Sequence, residues 1–298
     1  KNQFNIENMN NRFALGTAQF GFSYGVANLT GQITRDEAKK IIKYAKNKGI
    51  YTLDTAIGYG NSEECLGYVG IKDWDVVTKL PLIPKNCINI FDWVFHQVES
   101  SLHRLNVKHI SALMAHHSFE LKESYGKELW LAMQELKDKG LINKIGYSIY
   151  EPQELDQLWE DFKPDIIQSP FNILDDRLRS SGWLSKLNKN EVEVHVRSVF
   201  LQGLLLMKKN QRPEKFDYWS NIWEEWDEWL QENNITALQG CLSFALQDNS
   251  IKKIVIGVDN LIHLEEILSM DYPRTTCFPS FESNINYDLI NPSRWDYL

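Results

Sequence analysis

Four side chains with complementary proton chemistry stand at regular points in the first 120 residues of the sequence. In "YTLDTAIGYGNSEECLG" (51–67), Asp54 ends a short apolar run and Tyr59 follows five residues later in a Gly-rich turn. Lys79 stands at the end of "DVVTKL" (75–80), and His116 closes "ISALMAH" (110–116), with His117 beside it. Singly, each has an ordinary explanation: a turn-forming Asp, a packing aromatic, a snorkelling Lys, a hydrogen-bonded His. Together they can donate a proton to a carbonyl. A phenol with a pKa of about 10 is a poor acid at neutral pH, and an adjacent ammonium favours the phenolate and lowers that value. A carboxylate holds the ammonium in place, and an imidazole can orient the carbonyl and stabilise the developing alkoxide. No protein side chain supplies hydride, so this chemistry calls for a nicotinamide cofactor.

Such a set needs adjacent strand ends opening on one face. Short apolar runs recur at 13–19, 51–55, 75–80, 110–116, 144–149, 165–171, 192–200 and 252–258. Several are apolar at consecutive positions, as strands buried on both faces are. Helical patterns lie between them at 34–49, 91–106, 125–140, 152–162, 221–233 and 236–248. Thr34 with Glu37 marks a helix start, and Gly49 and Gly140 mark stops. Eight strands alternating with helices predict an α/β fold of (β/α)8 TIM-barrel type in a single domain, whose reactive residues gather at the C-terminal strand ends. The rival is a doubly wound open sheet. The glycines at 16, 21 and 25 do not give the G-x-G-x-x-G spacing that a dinucleotide-binding version would show. Residues 1–12 read as a polar N-terminal arm or an appended remnant, and 13–298 as the barrel, including a C-terminal tail at 270–298.

The chain has 298 residues and a net charge of −8. That balance argues against a nucleic-acid partner. No apolar run approaches a membrane span and no secretory leader is visible, so a cytoplasmic protein is expected. The four cysteines show no CxxC pair and no zinc spacing, so reduced thiols and no metal site are expected. Nothing fixes an oligomeric state.

The segments "LGTAQFGFSYG", "LDTAIGYGNSEECLG", "VVTKL", "LMAHHS", "IGYS", "IIQSPFN" and "IVIGVDNLIHLEEI" resemble the aldo-keto reductase superfamily over about residues 13–270. The resemblance implies a (β/α)8 barrel and a tetrad of Asp54, Tyr59, Lys79 and His116, with Tyr59 as general acid. His116 aligns better than His117 with the family's His-x-Pro spacing, although Ser118 replaces the Pro. It also implies cofactor contacts from Gly16, Thr17, Ala18 and Asp54, and from Ser148 and Gln168 to the carboxamide; Ile149 stands where many members carry Asn. Arg197, followed by Ser198 in "RSVF", occupies the slot of the aromatic that usually stacks on the nicotinamide, and its plain alternative is a barrel-end salt bridge. In the loop after the eighth strand, Gly257, Asp259 and His263 match the adenosine end of the cofactor site. NADP(H) is the family default and is favoured, with NAD(H) as the alternative, since Asp259 would repel a 2′-phosphate and Ile267 replaces a common adenine-binding Asn.

The resemblance implies a small-molecule carbonyl substrate. Phe20, Phe22 and Tyr24 after the first strand are candidates to wall the pocket, with Tyr59, His116 and His117. Arg294 and Trp295 lie in a tail that either folds over the mouth or packs on an outer helix. The Trp-rich stretch 218–229 reads as a helix packed on the barrel. "GTAQFGFSYG" and "RSVFLQGLLL" resemble bacterial reductases associated with surface-sugar pathways, which makes a sugar-derived aldehyde or ketone an expectation. The alternatives are a non-catalytic nicotinamide-binding or regulatory barrel, and a Schiff-base aldolase with Lys79 as nucleophile.

Overall fold

A computed structural model describes residues 9–28, 30–273, 277–281 and 287–298. The apolar runs form eight strands: β1 (Phe13–Gly16), β2 (Thr52–Asp54), β3 (Asp75–Leu80), β4 (Ile110–Ala115), β5 (Ile142–Ser148), β6 (Ile166–Pro170), β7 (Glu193–Arg197) and β8 (Lys253–Gly257). They pair in parallel in sequence order, and β8 returns to β1 to close the barrel. Helices alternate with the strands, so the expected (β/α)8 fold is present. Among the described residues, no helix is long and apolar enough to cross a membrane.

Capping side chains set several helix starts. Thr34 accepts from the Glu37 amide at 3.3 Å, and Asn89 from the Asp92 amide at 3.1 Å. Thr236 and Gln239 cap each other reciprocally before Ala237–Leu246. The helix Trp183–Lys189 after β6 was not anticipated; its short amphipathic pattern carries no N-cap side chain, because Gly182 precedes it in a left-handed turn.

Alternate residues of each strand face the barrel axis. Val77, Ala112, Met114 and Ile166 form a separate apolar cluster, while the outward-facing residues join the larger core beneath the helices. Two residues past Val77 and Ile166 on their strands come Lys79 and Gln168, so polar groups stand above this apolar layer at the C-terminal strand ends. At the other end, Lys144 and His195 both pair with Glu193, the latter at 2.7 Å. Residues 9–12 pack against this base: Met9 is buried, and Arg12 donates to the Asp248 and Ile251 carbonyls at 2.7 and 2.9 Å. Residues 1–8 of the expected arm lie outside the described residues.

Candidate active site

Asp54 is the last residue of β2 and is buried. Its Oδ1 accepts from Lys79 Nζ at 2.8 Å, and its Oδ2 from Gln168 Nε2 at 2.6 Å. Lys79 is wholly buried and also donates to the Thr55 carbonyl at 2.8 Å. The carboxylate therefore ties β2, β3 and β6 together at one level. Burial depresses the Lys79 ammonium pKa, and Asp54 partly offsets this.

Tyr59 sits in a turn fixed by backbone hydrogen bonds. Its amide donates to the Ala56 carbonyl at 3.0 Å, and its carbonyl accepts from the Ser62 amide at 2.9 Å. Behind it, Ser62 Oγ donates to the Thr17 carbonyl at 2.9 Å. Two glycines let the backbones of the β1 and β2 loops touch: a Cβ on Gly21 would fall 1.8 Å from the Tyr59 carbonyl oxygen, and one on Gly60 2.5 Å from the Gly21 carbonyl oxygen. Glu63, next in the motif, anchors the following helix. It is buried and accepts from Thr78 Oγ1 at 2.8 Å, Ser101 Oγ at 2.7 Å and Arg104 Nη2 at 2.7 Å.

The tetrad comes together. Lys79 Nζ lies 5.4 Å from the Tyr59 ring centroid, and the His116 ring meets the Tyr59 ring edge-on at 5.8 Å. Phe22 braces the other side of the phenol at 5.9 Å. His117 stacks on His116 at 4.9 Å and on Tyr150 at 6.4 Å. Both histidines line the cavity, and His116 is the one in ring contact with the phenol.

One electrostatic expectation changes. The phenol pKa is raised, first by burial and then by the Asp54 carboxylate, while Arg197 pulls it down. Lys79 gives two hydrogen bonds, to Asp54 and to the Thr55 carbonyl, and the net shift of the phenol is upward, opposite to the expected lowering. Tyr59 is therefore fully protonated at neutral pH, the form an acid needs. His116 is pushed down to about 3 by burial, with Lys79, His117 and Arg197 adding to the shift, so it is a neutral hydrogen-bonding group.

That depression predicts a pH effect. A histidine held neutral binds fewer protons in the native state, so its contribution is present above the ordinary value of 6.5 and drains away as pH falls from 6.5 toward 3. Urea midpoints at about pH 7.5 and about pH 5 should fall further in the wild type than in His116→Gln. Equal falls in the two proteins would contradict the assignment.

The cavity over these residues measures about 860 Å³. Its wall includes the predicted Gly16, Thr17, Ala18, Asp54, Gln168, Arg197, Ser198, Gly257, Asp259 and His263, with Tyr24, Tyr59, His116 and His117. Ser148 does not line it; it lies buried at the end of β5, in register with Gln168. Phe20 does not line it either. The short helix Ala18–Gly21 turns that ring wholly into the core, leaving Tyr24 at the mouth. Among the described residues, Arg197 makes no barrel-end salt bridge. Its guanidinium lies 4.9 Å from the Tyr150 ring centroid and donates to the Ile149 carbonyl at 3.1 Å. Arg294 pairs with Asp288 at 2.5 Å, and Trp295 is buried against Phe216 at 4.8 Å, so this part of the tail packs on the segment after β7 and not at the cavity.

Sequence reasoning missed several parts of the wall, among them Glu266 on the helix Leu261–Ser269. Tyr150, just past β5, stacks between His117 and Arg197. The segment after β7 contributes Val199, Phe200, Gln202, Gly203, Leu206 and Met207. Its backbone enters the left-handed region at Ser198, Leu201, Gln202 and Gly203, a conformation that no composition signal marks at Leu or Gln. The Trp-rich helix Ser220–Glu232 holds it down, as Trp226 Nε1 donates to the Leu205 carbonyl at 3.1 Å.

A parallel eight-stranded barrel with a buried Asp–Lys pair beside a Tyr and a His defines a class of enzyme-like barrel. The family model for the aldo/keto reductase family matches residues 12–270, and the chain belongs to that family. An aldo-keto reductase of Bacillus subtilis (strain 168) is 26% identical over 215 residues, which cover 67% of this chain and 61% of that protein. The match thus spans less than two thirds of this curated relative. Among solved structures, an aldo-keto reductase of Bacillus halodurans in its holo form superposes with a TM-score of 0.68 at 20% identity, covering 86% of this chain and 85% of that one. A glycerol dehydrogenase of Gluconobacter oxydans gives a TM-score of 0.67 at 23% identity, with the same coverages. At these identities the two structures attest the fold.

Proposed function

We propose that this protein is a nicotinamide-dependent carbonyl reductase acting on a polar, sugar-derived aldehyde or ketone. The observation that carries the reading is the juxtaposition of protonated Tyr59 and neutral His116 at the cavity, with the Asp54–Lys79 pair locked behind them. Tyr59 would give its proton to the carbonyl oxygen. His116 would donate a hydrogen bond to the same oxygen and fix its approach. Lys79 and Asp54 act from behind by holding the strand ends in register.

The residues present fit a nicotinamide cofactor. Gly16 and Gly257, adjacent in register, keep the wall free of side chains; a Cβ on Gly257 would fall 2.7 Å from Gln19 Nε2. Gln168 spends its amide nitrogen on Asp54, which leaves its carbonyl oxygen for a carboxamide. When bound, the cofactor supplies the hydride that the protein lacks. His117, Tyr24, Tyr150, Arg197 and Gln202 give the remaining wall the polar character that a hydroxylated substrate needs.

A Schiff base on Lys79 is disfavoured, because the ammonium is wholly buried, paired with Asp54 and absent from the cavity wall. A panel of sugar-derived aldehydes and ketones, incubated with NADH or NADPH, should yield alcohol with matching loss of the reduced cofactor. Tight cofactor binding without turnover on any of them would favour the non-catalytic reading instead.

A further inference from the structure

We infer that the end of the cavity remote from Tyr59 selects NAD(H) over NADP(H), through the carboxylates of Asp259, Glu266 and Glu37. This rests on the nicotinamide reading above. The cavity runs from Asp54 and Tyr59, past Gly16 to Ala18, to Gly257 and the helix Leu261–Ser269. The register pairs Gly16 with both Asp54 and Gly257, so β1 lies between the two ends. With the nicotinamide at Tyr59, the adenosine half of a dinucleotide has the β8 end left to it.

That end is acidic. Asp259 and Glu266 line it, with His263 between them in sequence and its Nδ1 3.7 Å from Asp259 Oδ2. Among the described residues of the cavity wall, Arg197 is the one lysine or arginine, and it is held at the β7 end by Ile149 and over Tyr150. A 2′-phosphate brings additional negative charge and is normally met by Arg or Lys, whereas a free 2′-hydroxyl is met by a carboxylate that accepts its hydrogen bond.

A second, independent feature points the same way. The start of a helix can bind a phosphate through its unpaired amides. At Leu261–Ser269, Glu37 Oε1 already accepts from the Leu261 amide at 2.9 Å, and Asn260 Oδ1 from the His263 amide at 3.0 Å. A carboxylate from the helix Arg35–Asn47 thus occupies the place an anion would take. Ile267, on the same wall, offers apolar contact to an adenine ring.

The test is equilibrium binding to the 298-residue chain by calorimetry or tryptophan quenching, with NADH, NADPH, ADP-ribose and its 2′-phosphorylated counterpart. NADH should bind at least about tenfold more tightly than NADPH, and the non-phosphorylated fragment should show the same preference without any turnover. In Asp259→Ser and, separately, Glu266→Gln, the NADPH deficit should shrink while NADH weakens. Equal or tighter binding of NADPH by the wild type overturns the selectivity. Failure of both dinucleotides to bind overturns the nicotinamide reading itself, and the selectivity with it.

Discussion

Tyr59→Phe should lower kcat/KM for carbonyl reduction by about 10³-fold, equivalent to about 4 kcal/mol of transition-state stabilisation. The change removes one oxygen and little else. The backbone at 59 is held by Ala56 and Ser62. Phe22 and His116 meet the ring edge-on, contacts that a phenylalanine keeps. The variant should therefore fold and bind the reduced dinucleotide as the wild type does, so that the loss falls on turnover. The comparison is steady-state reduction beside a cofactor titration of both proteins. Activity within a few-fold of the wild type would remove Tyr59 from the role of acid. The raised phenol pKa adds that this activity should not decline between about pH 7 and about pH 9, since Tyr59 keeps its proton throughout.

The second large effect is on stability. Lys79→Met should destabilise the fold by about 3–5 kcal/mol, because it leaves the Asp54 carboxylate buried without its cation. Among the described residues, Gln168 alone would remain on that carboxylate, through Oδ2. The double variant Lys79→Met, Asp54→Asn should recover much of the loss, since neither charge is then stranded. Urea denaturation of the wild type, the two single variants and the double variant gives the coupling. A Lys79→Met protein as stable as the wild type would show that the pair is not the lock described here.

The strands were legible because their burial on both faces leaves consecutive apolar positions, and the count of eight implied closure. Asp54, Tyr59, Lys79 and His116 were legible because each lies at or just past a strand end and their chemistry interlocks. What escaped was geometry that sequence does not encode locally. The direction of the Tyr59 shift depends on the burial of the phenol and on the Asp54 carboxylate near it, neither of which is set by the residues next to it in sequence. Phe20 and Tyr24 are both aromatic and four residues apart, yet a single helical turn at Ala18–Gly21 sends the first into the core. Tyr150 became part of the site only through its neighbours His117 and Arg197, which come from different strands. The wall from 198 to 207 depends on left-handed backbone at residue types that rarely announce it.

The contact between Gly21 and Gly60 limits how the protein can be altered. Because the loops after β1 and β2 meet backbone to backbone, they behave as one interlocking part. A β1 loop transplanted from another barrel would displace the phenol unless it carried glycine at 21, and the recipient turn must keep glycine at 60. The segment after β7 meets the β1 loop elsewhere, at Gly203, where a Cβ would fall 2.5 Å from the Ala27 Cβ. Redesign of the cavity mouth therefore belongs on that side, where the wall can be exchanged while the Gly21–Gly60 contact stays in place.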